Sequence, residues 1–349
     1  MKIVQFHGDR RVSVEEAPEP EPSDDFAVIK VMSSTICGTE FSSYTGLTDV
    51  GPMGNAGHEA TGIVWKTAPG SRLTEGARVA MYPGFGERCG KCANCYRGVW
   101  LRCLNAGPQP DGHLGTHAQY VRRREDYCLE LPDDISFEQG ALLVDCVGTP
   151  YRGIRRMGVN GFDTVLITGM GPLGASAAML CRKLGARIIA TEVNDARLDR
   201  APDFGVDHAI NPTREDALAR VMELTGGRGV DKAIDFTGYP EPQNLCLDAA
   251  RGGGMVGFLG LKYESGPDGP VPRATPVRVL DQLLIKEMTL ISSWCVTPDQ
   301  VMELFGLVRE GLPVDRLVTH RFGIDDAATA YETTFGGPGT KVMIDPWAE

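Results

Sequence analysis

Along roughly the first 150 residues, apolar and polar positions alternate in short runs such as 27–32 and 77–82, interrupted by Gly and Pro clusters. Alternation with a period of two puts one side-chain face inside and the other in water, so this stretch is predicted to be mostly β. Near Gly148 the pattern changes. Continuous apolar runs of strand length, at 164–168 and 187–192, now alternate with a stretch of helical period at 173–184. Strands that are apolar on both faces and joined through helices belong to a parallel sheet covered on both sides. Beyond Leu290 the pattern mixes again, with helices predicted at 298–309 and 325–335 and a closing strand at 341–344 that returns to the first region. No internal repeat is present, and the Gly- and Pro-rich stretch 264–276 is expected to be a surface loop.

Composition narrows the picture. A chain of 349 residues exceeds what one core usually serves, so two domains are expected. Hydrophobic residues at 42% and charged residues at 23% are ordinary for a globular protein, and 43 Gly with 23 Pro point to many tight turns. A formal charge of -11 argues against binding nucleic acid or anionic lipid, since both need clustered Lys and Arg. The opening MKIVQFHGDRRV reaches charged residues too early for a signal peptide, and no apolar run has the length of a membrane span. A cytoplasmic protein is expected, and in that reducing setting closely spaced cysteines read first as metal ligands.

The spacing within CGKCANCYRGVWLRC sets Cys89, Cys92, Cys95 and Cys103 close enough to enclose one tetrahedral ion, for which zinc is the best match. Four thiolates leave no open coordination position, so such a site shapes a loop and performs no chemistry. An iron-sulfur cluster and four unrelated thiols are the alternatives.

The strand TVLITG runs into Gly169, Gly171 and Gly174, with a helix opening at Pro172 and Leu173. In this strand-to-helix context the glycines permit the turn, the approach of pyrophosphate and the packing of helix on strand. The next strand ends in Glu192, eighteen positions past Gly174, where a carboxylate accepts ribose hydroxyls and repels a 2′-phosphate. NAD is favoured, while Arg197 nearby keeps NADP open.

Cys37 in ICGTEF and His58 with Glu59 in GHEATG say little separately, because a lone cysteine is usually a small buried hydrophobe. Their order does say something. ICGTE, GHEATG, the cysteine loop, LGTHAQYV, ALLVDCVGTPY, the glycine fingerprint, LTGGRGVDKAIDFTG and KVMI together resemble the zinc-containing medium-chain dehydrogenases, which include alcohol, sorbitol and threonine dehydrogenases. The resemblance spans nearly the whole chain and implies an α/β architecture. It consists of a GroES-like, mostly-β catalytic domain at 1–147 and 292–349 and a doubly wound Rossmann domain at 148–291.

The resemblance also implies two zinc ions per chain, a structural one on the cysteine loop and a catalytic one held by Cys37 and His58. Its third protein ligand falls at Asp145, with Cys146 beside it as the alternative, and Glu59 is a further candidate ligand. A zinc ion with an open position favours the deprotonated alcohol, which gives up hydride more readily than the neutral one. Thr39 occupies the position of the hydroxyl that takes up the substrate proton, whereas the family's usual relay histidine is here Ser42. Tyr44 and His117 match positions that line the substrate pocket, although core packing for the first and a hydrogen-bonded structural role for the second are equally open. Thr237 and the main chain of 257–260 match loops that frame the cofactor.

The implied reaction is hydride transfer between a secondary alcohol (a polyol, sugar, cyclitol or amino alcohol) and NAD, in a homo-oligomer of two or four chains. Two alternatives share the fold. One is an epimerase that retains its NAD and returns the hydride, and the other is a non-catalytic nucleotide-binding protein.

Overall fold

A computed structural model describes residues 1–47, 56–83, 88–107, 115–266, 269–272, 274–336 and 341–348. The chain divides into two compact units. The first comprises Met1–Gly148, Val296–Gly311 and Val318–Glu349, and the second Thr149–Cys295 and Leu312–Leu317.

The first unit is built on a mixed sheet whose long central strand is Phe26–Thr35. On one side this strand pairs antiparallel with Glu59–Lys66, in a register that sets Thr35 opposite Glu59 and Ser34 opposite Ala60. On its other side it pairs with the closing strand Lys341–Asp345, Met343 opposite Thr35. The predicted return of the C-terminal strand to the first region is therefore a central sheet pairing. Strand Tyr120–Arg124 also pairs with Phe26–Thr35. Alternation along the central strand sends Ala27, Ile29 and Val31 into one core with Ala60, Val64, Val79 and Val121. A second core gathers Phe6, Ile36, Tyr44, Tyr331 and Ile344. Helix Phe137–Leu143 starts at a capping box, in which Ser136 accepts from the Gln139 backbone and the Gln139 side chain returns a bond to the Ser136 backbone.

The second unit carries six parallel strands in the order His208–Ile210, Arg187–Thr191, Thr164–Thr168, Val230–Asp235, Ala250–Phe258, Thr289–Ser292. Numbered by sequence within the unit this is the order of a doubly wound dinucleotide fold, whose direction reverses between Thr164–Thr168 and Val230–Asp235. Strand Thr164–Thr168 is buried at every position, which is why it reads as an unbroken apolar run. Helix Pro172–Lys183 follows with Pro in its first turn, where the missing N–H costs nothing.

The stretch expected to be a loop at 264–276 is not one throughout. Tyr263–Gly266 and Gly269–Pro272 form an antiparallel two-stranded ribbon, so its Gly and Pro mark a hairpin, with residues 267, 268 and 273 outside the described set. The helix expected at 325–335 begins with a 3-10 turn, Ile324–Asp326, before the α-helix Ala327–Gly336. Among the described residues no helix is long and apolar enough to cross a membrane.

Candidate functional site

Sheet register assembles the first cluster. Cys37 lies two residues past the end of the central strand, and the intervening Ile36 donates its backbone N–H to the Val342 carbonyl at 3.1 Å. Glu59 stands opposite Thr35 on the neighbouring strand, so His58 enters the same corner. The turn into it needs glycine, because Gly57 has φ +98° and a Cβ there would lie 2.7 Å from the His117 backbone nitrogen. Asp145 arrives from the turn that follows Phe137–Leu143.

One ligand atom from each of Cys37, His58, Glu59 and Asp145 lies within 4.8 Å of all the others. His58 Nε2 is 3.3 Å from Asp145 Oδ2, and Cys37 Sγ is 3.9 Å from the same oxygen. Cys146, the alternative to Asp145, is buried and is not a member of this group. The Glu59 side chain is fully buried, and its Oε1 has no hydrogen-bond partner among the described residues. Two carboxylates and a thiol packed this closely call for positive charge. The electrostatics agree. Burial pushes the Cys37 thiol up, and the Glu59 carboxylate adds to it. Burial opposes charge on His58, yet Cys37, Asp145 and Glu40 outweigh it and hold its pKa well above the ordinary imidazole value. A mixed S, N and O donor set of this size fits zinc.

A layer of partners holds these groups. Glu59 Oε2 accepts from the Thr35 hydroxyl and pairs with Lys341 Nζ at 2.6 Å, and Lys341 also donates to the Ile36 carbonyl at 2.8 Å. Burial works against the charge on Lys341, but Glu59 raises its pKa above the usual lysine value. Glu40, on the 3-10 turn Gly38–Glu40, lies 3.4 Å from His58 Nδ1 and accepts from the Tyr331 hydroxyl. Burial pushes Glu40 up, but His117 and His58 more than offset it and leave its pKa lowered. Glu40, Thr35, Lys341 and Tyr331 were not singled out from sequence. For Glu40 and Lys341 the signal was membership of ICGTE and KVMI, and for Thr35 and Tyr331 there was none.

The remaining predicted residues around this cluster divide. Thr39 donates to Cys37 Sγ at 3.3 Å and so stands at the group. Ser42 lies on the short helix Phe41–Thr45, where its carbonyl accepts the Leu47 N–H. Tyr44 packs inward. Only 4% exposed, its ring stacks on Phe335 and tilts against Tyr331, which makes it a core aromatic. His117 is likewise drawn inward, 1% exposed, with Nδ1 2.8 Å from the Ser34 hydroxyl and Nε2 3.4 Å from Glu40.

The cysteine loop is a separate gathering in the same unit. Sγ of Cys89, Cys92, Cys95 and Cys103 lie within 4.8 Å of one another, with Cys92 to Cys95 at 3.5 Å and Cys92 to Cys103 at 3.9 Å. These separations suit four thiolates at zinc-sulfur bonding distance from one centre. Main-chain N–H groups point at the sulfurs, from Cys89 to Cys103 at 3.3 Å and from Leu104 to Cys92 at 3.5 Å. The Leu104 and Cys95 N–H groups bring Cys92 down to about 6, whereas burial pushes Cys95 up to about 11.

In the second unit the glycine fingerprint occupies the turn between Thr164–Thr168 and Pro172–Lys183. Gly169 has φ +87°, and a Cβ on it would meet the Thr237 methyl at 2.7 Å. A Cβ on Gly174 would stand 1.8 Å from the Gly169 carbonyl oxygen, while one on Gly171 would meet nothing within 4 Å. The outer glycines are needed for internal packing, and the middle one leaves the open backbone that a phosphate requires. Pro172 and Leu173 open the helix there.

Glu192 is no solvated strand end. It is 7% exposed, its Oε2 accepts from the Met170 N–H at 2.8 Å, and its Oε1 accepts from the N–H groups of Val193 and Asn194, both at 2.9 Å. Arg197 follows on Asp195–Asp199 and keeps a buried Nε without a hydrogen-bond partner. The Thr237 hydroxyl is taken up internally, donating to Asp235 Oδ1 at 2.6 Å and accepting from the Tyr239 N–H. Asp235, unnoticed in the sequence, organises this loop by accepting also from Thr168, Gly238 and Gln243. Gly260 packs against it so closely that a Cβ would lie 2.1 Å from the Gly238 nitrogen.

Comparison with known proteins accords with this geometry. Residues 23–133 match the alcohol dehydrogenase GroES-like domain family, and residues 172–310 match the zinc-binding dehydrogenase family. A zinc-type alcohol dehydrogenase-like protein of Escherichia coli is 34% identical over 99% of this chain and 98% of its own. A Bacillus subtilis sorbitol dehydrogenase is 33% identical over 76% of each chain, and an L-threonine 3-dehydrogenase of Deinococcus deserti is 32% identical over 95% of this chain and 94% of its own. Among solved structures, an alcohol dehydrogenase from a Thermus species superimposes with a TM-score of 0.86 at 27% identity, covering 99% of both chains.

Proposed function

The chain belongs to the zinc-containing medium-chain alcohol dehydrogenases, and on that premise we propose that it oxidises a secondary carbinol of a polyol, sugar, cyclitol or amino alcohol to the ketone with NAD. The observation that carries this reading is the convergence of Cys37, His58, Glu59 and Asp145 in a chain that also holds a complete dinucleotide turn. The relatives named for sorbitol and threonine support a hydroxylated or amino-bearing substrate.

Cys37, His58 and Asp145 are the proposed ligands of the catalytic zinc, with Glu59 as a further one, and the cysteine loop holds the structural ion. Zinc, when bound, supplies a Lewis acid that favours the deprotonated alcohol. Glu59, clamped by Thr35 and Lys341, holds its carboxylate at the group and moderates the charge there. The Thr39 hydroxyl, already at the Cys37 sulfur, is the group assigned to receive the substrate proton. Ser42 offers no imidazole to pass that proton on.

For the cofactor, Glu192 is tied to the glycine loop by Met170 and retains acceptor capacity on Oε2, which supports pairing with a ribose hydroxyl and discrimination against a 2′-phosphate. Assembly into a dimer or tetramer is supported by the edge strand Thr289–Ser292 and the exposed Val279, Leu280, Leu284 and Ile285 beside it in sequence, 63–71% accessible. Ten cysteines without a disulfide support a reducing, cytoplasmic setting.

The test is a screen of polyols, sugars, cyclitols and amino alcohols with NAD and NADP, followed at roughly 340 nm, where the reduced nicotinamide absorbs. Turnover with NAD on one of these classes is expected. Inversion of a stereocentre without net reduction of the cofactor would overturn the dehydrogenase reading in favour of an epimerase.

A further inference from the structure

We propose that Tyr331 and His117 are positioning residues of the catalytic metal centre, acting through Glu40 to fix the ring of His58. The inference rests on the reading that His58 is a zinc ligand.

The two nitrogens of His58 face different ways. Nε2 stands 3.3 Å from Asp145 Oδ2, inside the ligand group, while Nδ1 stands 3.4 Å from Glu40 Oε1, behind it. A ligating histidine whose second nitrogen faces a carboxylate has its tautomer and ring plane set by that carboxylate. Glu40 can do this only if it is itself held. Its side chain is 6% exposed, and its other oxygen meets Tyr331 and His117, accepting from the phenol and lying 3.4 Å from His117 Nε2.

Both outer partners are anchored independently of the metal ligands. The Tyr331 ring is fully buried, edge-on to Phe6 at 5.1 Å and packed beside Tyr44 and Phe335. A phenol that deep requires an acceptor, and Glu40 supplies it. His117 is pinned at Nδ1 by the Ser34 hydroxyl, and its backbone lies where any side chain on Gly57, the neighbour of His58, would stand. In the tautomer with its proton on Nε2, Nδ1 accepts from Ser34 and that N–H faces Glu40 at 3.4 Å, an electrostatic contact outside hydrogen-bond geometry. A rigid aromatic core and a hydrogen-bonded histidine thus grip one carboxylate, and that carboxylate faces the ligand.

The experiment measures zinc content and zinc affinity by competition with a chromophoric chelator, on the full-length zinc-loaded protein and on Tyr331→Phe, His117→Leu and His117→Gln. Loss of the phenol oxygen, or of the imidazole in His117→Leu, is expected to weaken one of the two zinc sites by about 10- to 100-fold, the range for outer partners of metal ligands. The cysteine-loop zinc should stay at its parental affinity. His117→Gln, which keeps a donor near the Nε2 position, is expected to restore most of the loss. Tyr331→Phe removes a single oxygen and decides the matter alone if the Leu variant does not fold. Parental affinity at both sites in Tyr331→Phe, or equal weakening of both, would overturn the proposal. Cys37→Ser separates the two ideas, since a Cys37→Ser protein that still binds two zinc ions tightly defeats the ligand reading itself.

Discussion

The cysteine loop draws four sulfurs from one short stretch and steadies them with its own main chain, as in the N–H groups of Cys89 and Leu104. The other cluster collects Cys37, His58 with Glu59, and Asp145 from separated parts of the chain, and its supports are side chains, among them Lys341 and Tyr331. In the first, local spacing alone predicts a closed metal shell. In the second, the register of Phe26–Thr35 against Glu59–Lys66 brings Cys37 to His58 and Glu59, and the turn after Phe137–Leu143 adds Asp145. A site made by one loop can shape that loop, whereas a site made by the sheet inherits the rigidity of the sheet, which is what a reacting centre needs.

The sharpest way to break this contrast is to remove one donor from each cluster. Cys37→Ser, or His58→Ala, is expected to cost at least about 4 kcal/mol in kcat/KM, on the order of a 10³-fold loss, with the unfolding temperature nearly unchanged. Cys92→Ser should lose one zinc and lower the unfolding temperature, because a structural zinc contributes directly to folding. Steady-state rates and thermal melts on both proteins check it. If Cys92→Ser melts like the parent while Cys37→Ser unfolds, the roles are reversed.

Next in size is the ion pair behind the scattered cluster. Lys341 and Glu59 are 2% and 0% exposed, and Lys341→Met leaves the carboxylate without its cation. A broken buried pair typically costs ~3–5 kcal/mol, so the urea midpoint should fall substantially, with the cysteine-loop zinc retained. A variant as stable as the parent would show that Glu59 is neutralised by something other than Lys341.

What the chain disclosed in advance follows the same division. Strand Thr164–Thr168 and helix Pro298–Arg309 were bounded as found, because an unbroken apolar run and a proline at a helix start are local signals. The clustered donors stood out in legible motifs, but their supports did not. Glu40 and Lys341 look like ordinary charges until the pairing of Lys341–Asp345 with the central strand places Lys341 beside Glu59. Tyr44 was open for the opposite reason, since an aromatic tip suits either a pocket or a core, and its ring contacts with Phe335 and Tyr331 exist only in the folded chain. The paired strands Tyr263–Gly266 and Gly269–Pro272 were hidden by their Gly and Pro, which read as loop in sequence.

A smaller effect is expected in the second unit. Glu192→Gln keeps the shape that accepts the Met170 N–H but removes the charge that repels a 2′-phosphate. The ratio of kcat/KM for NAD over NADP should fall by about 10-fold, equivalent to about 1.4 kcal/mol. An unchanged ratio would move the discrimination to Arg197, whose buried Nε has no hydrogen-bond partner among the described residues.

The smallest test asks how far the scattered site depends on local structure after all. Asp145 is delivered by the turn that follows Phe137–Leu143, and that helix is started by the reciprocal bonds between Ser136 and Gln139. Ser136→Ala removes the side-chain acceptor at the helix start and should cost ~1 kcal/mol of global stability. Helix Phe137–Leu143 has four of its residues buried in the first unit, and Thr61 of the strand Glu59–Lys66 donates to its Phe137 carbonyl at 2.7 Å. Its far end should therefore stay in place and hold Asp145 where it is. Zinc affinity at the Cys37 site should consequently be unchanged while the melting temperature drops by a few degrees. A parallel loss of zinc would mean that Asp145 is placed by its own helix cap, and that this corner of the scattered site is as local as the cysteine loop.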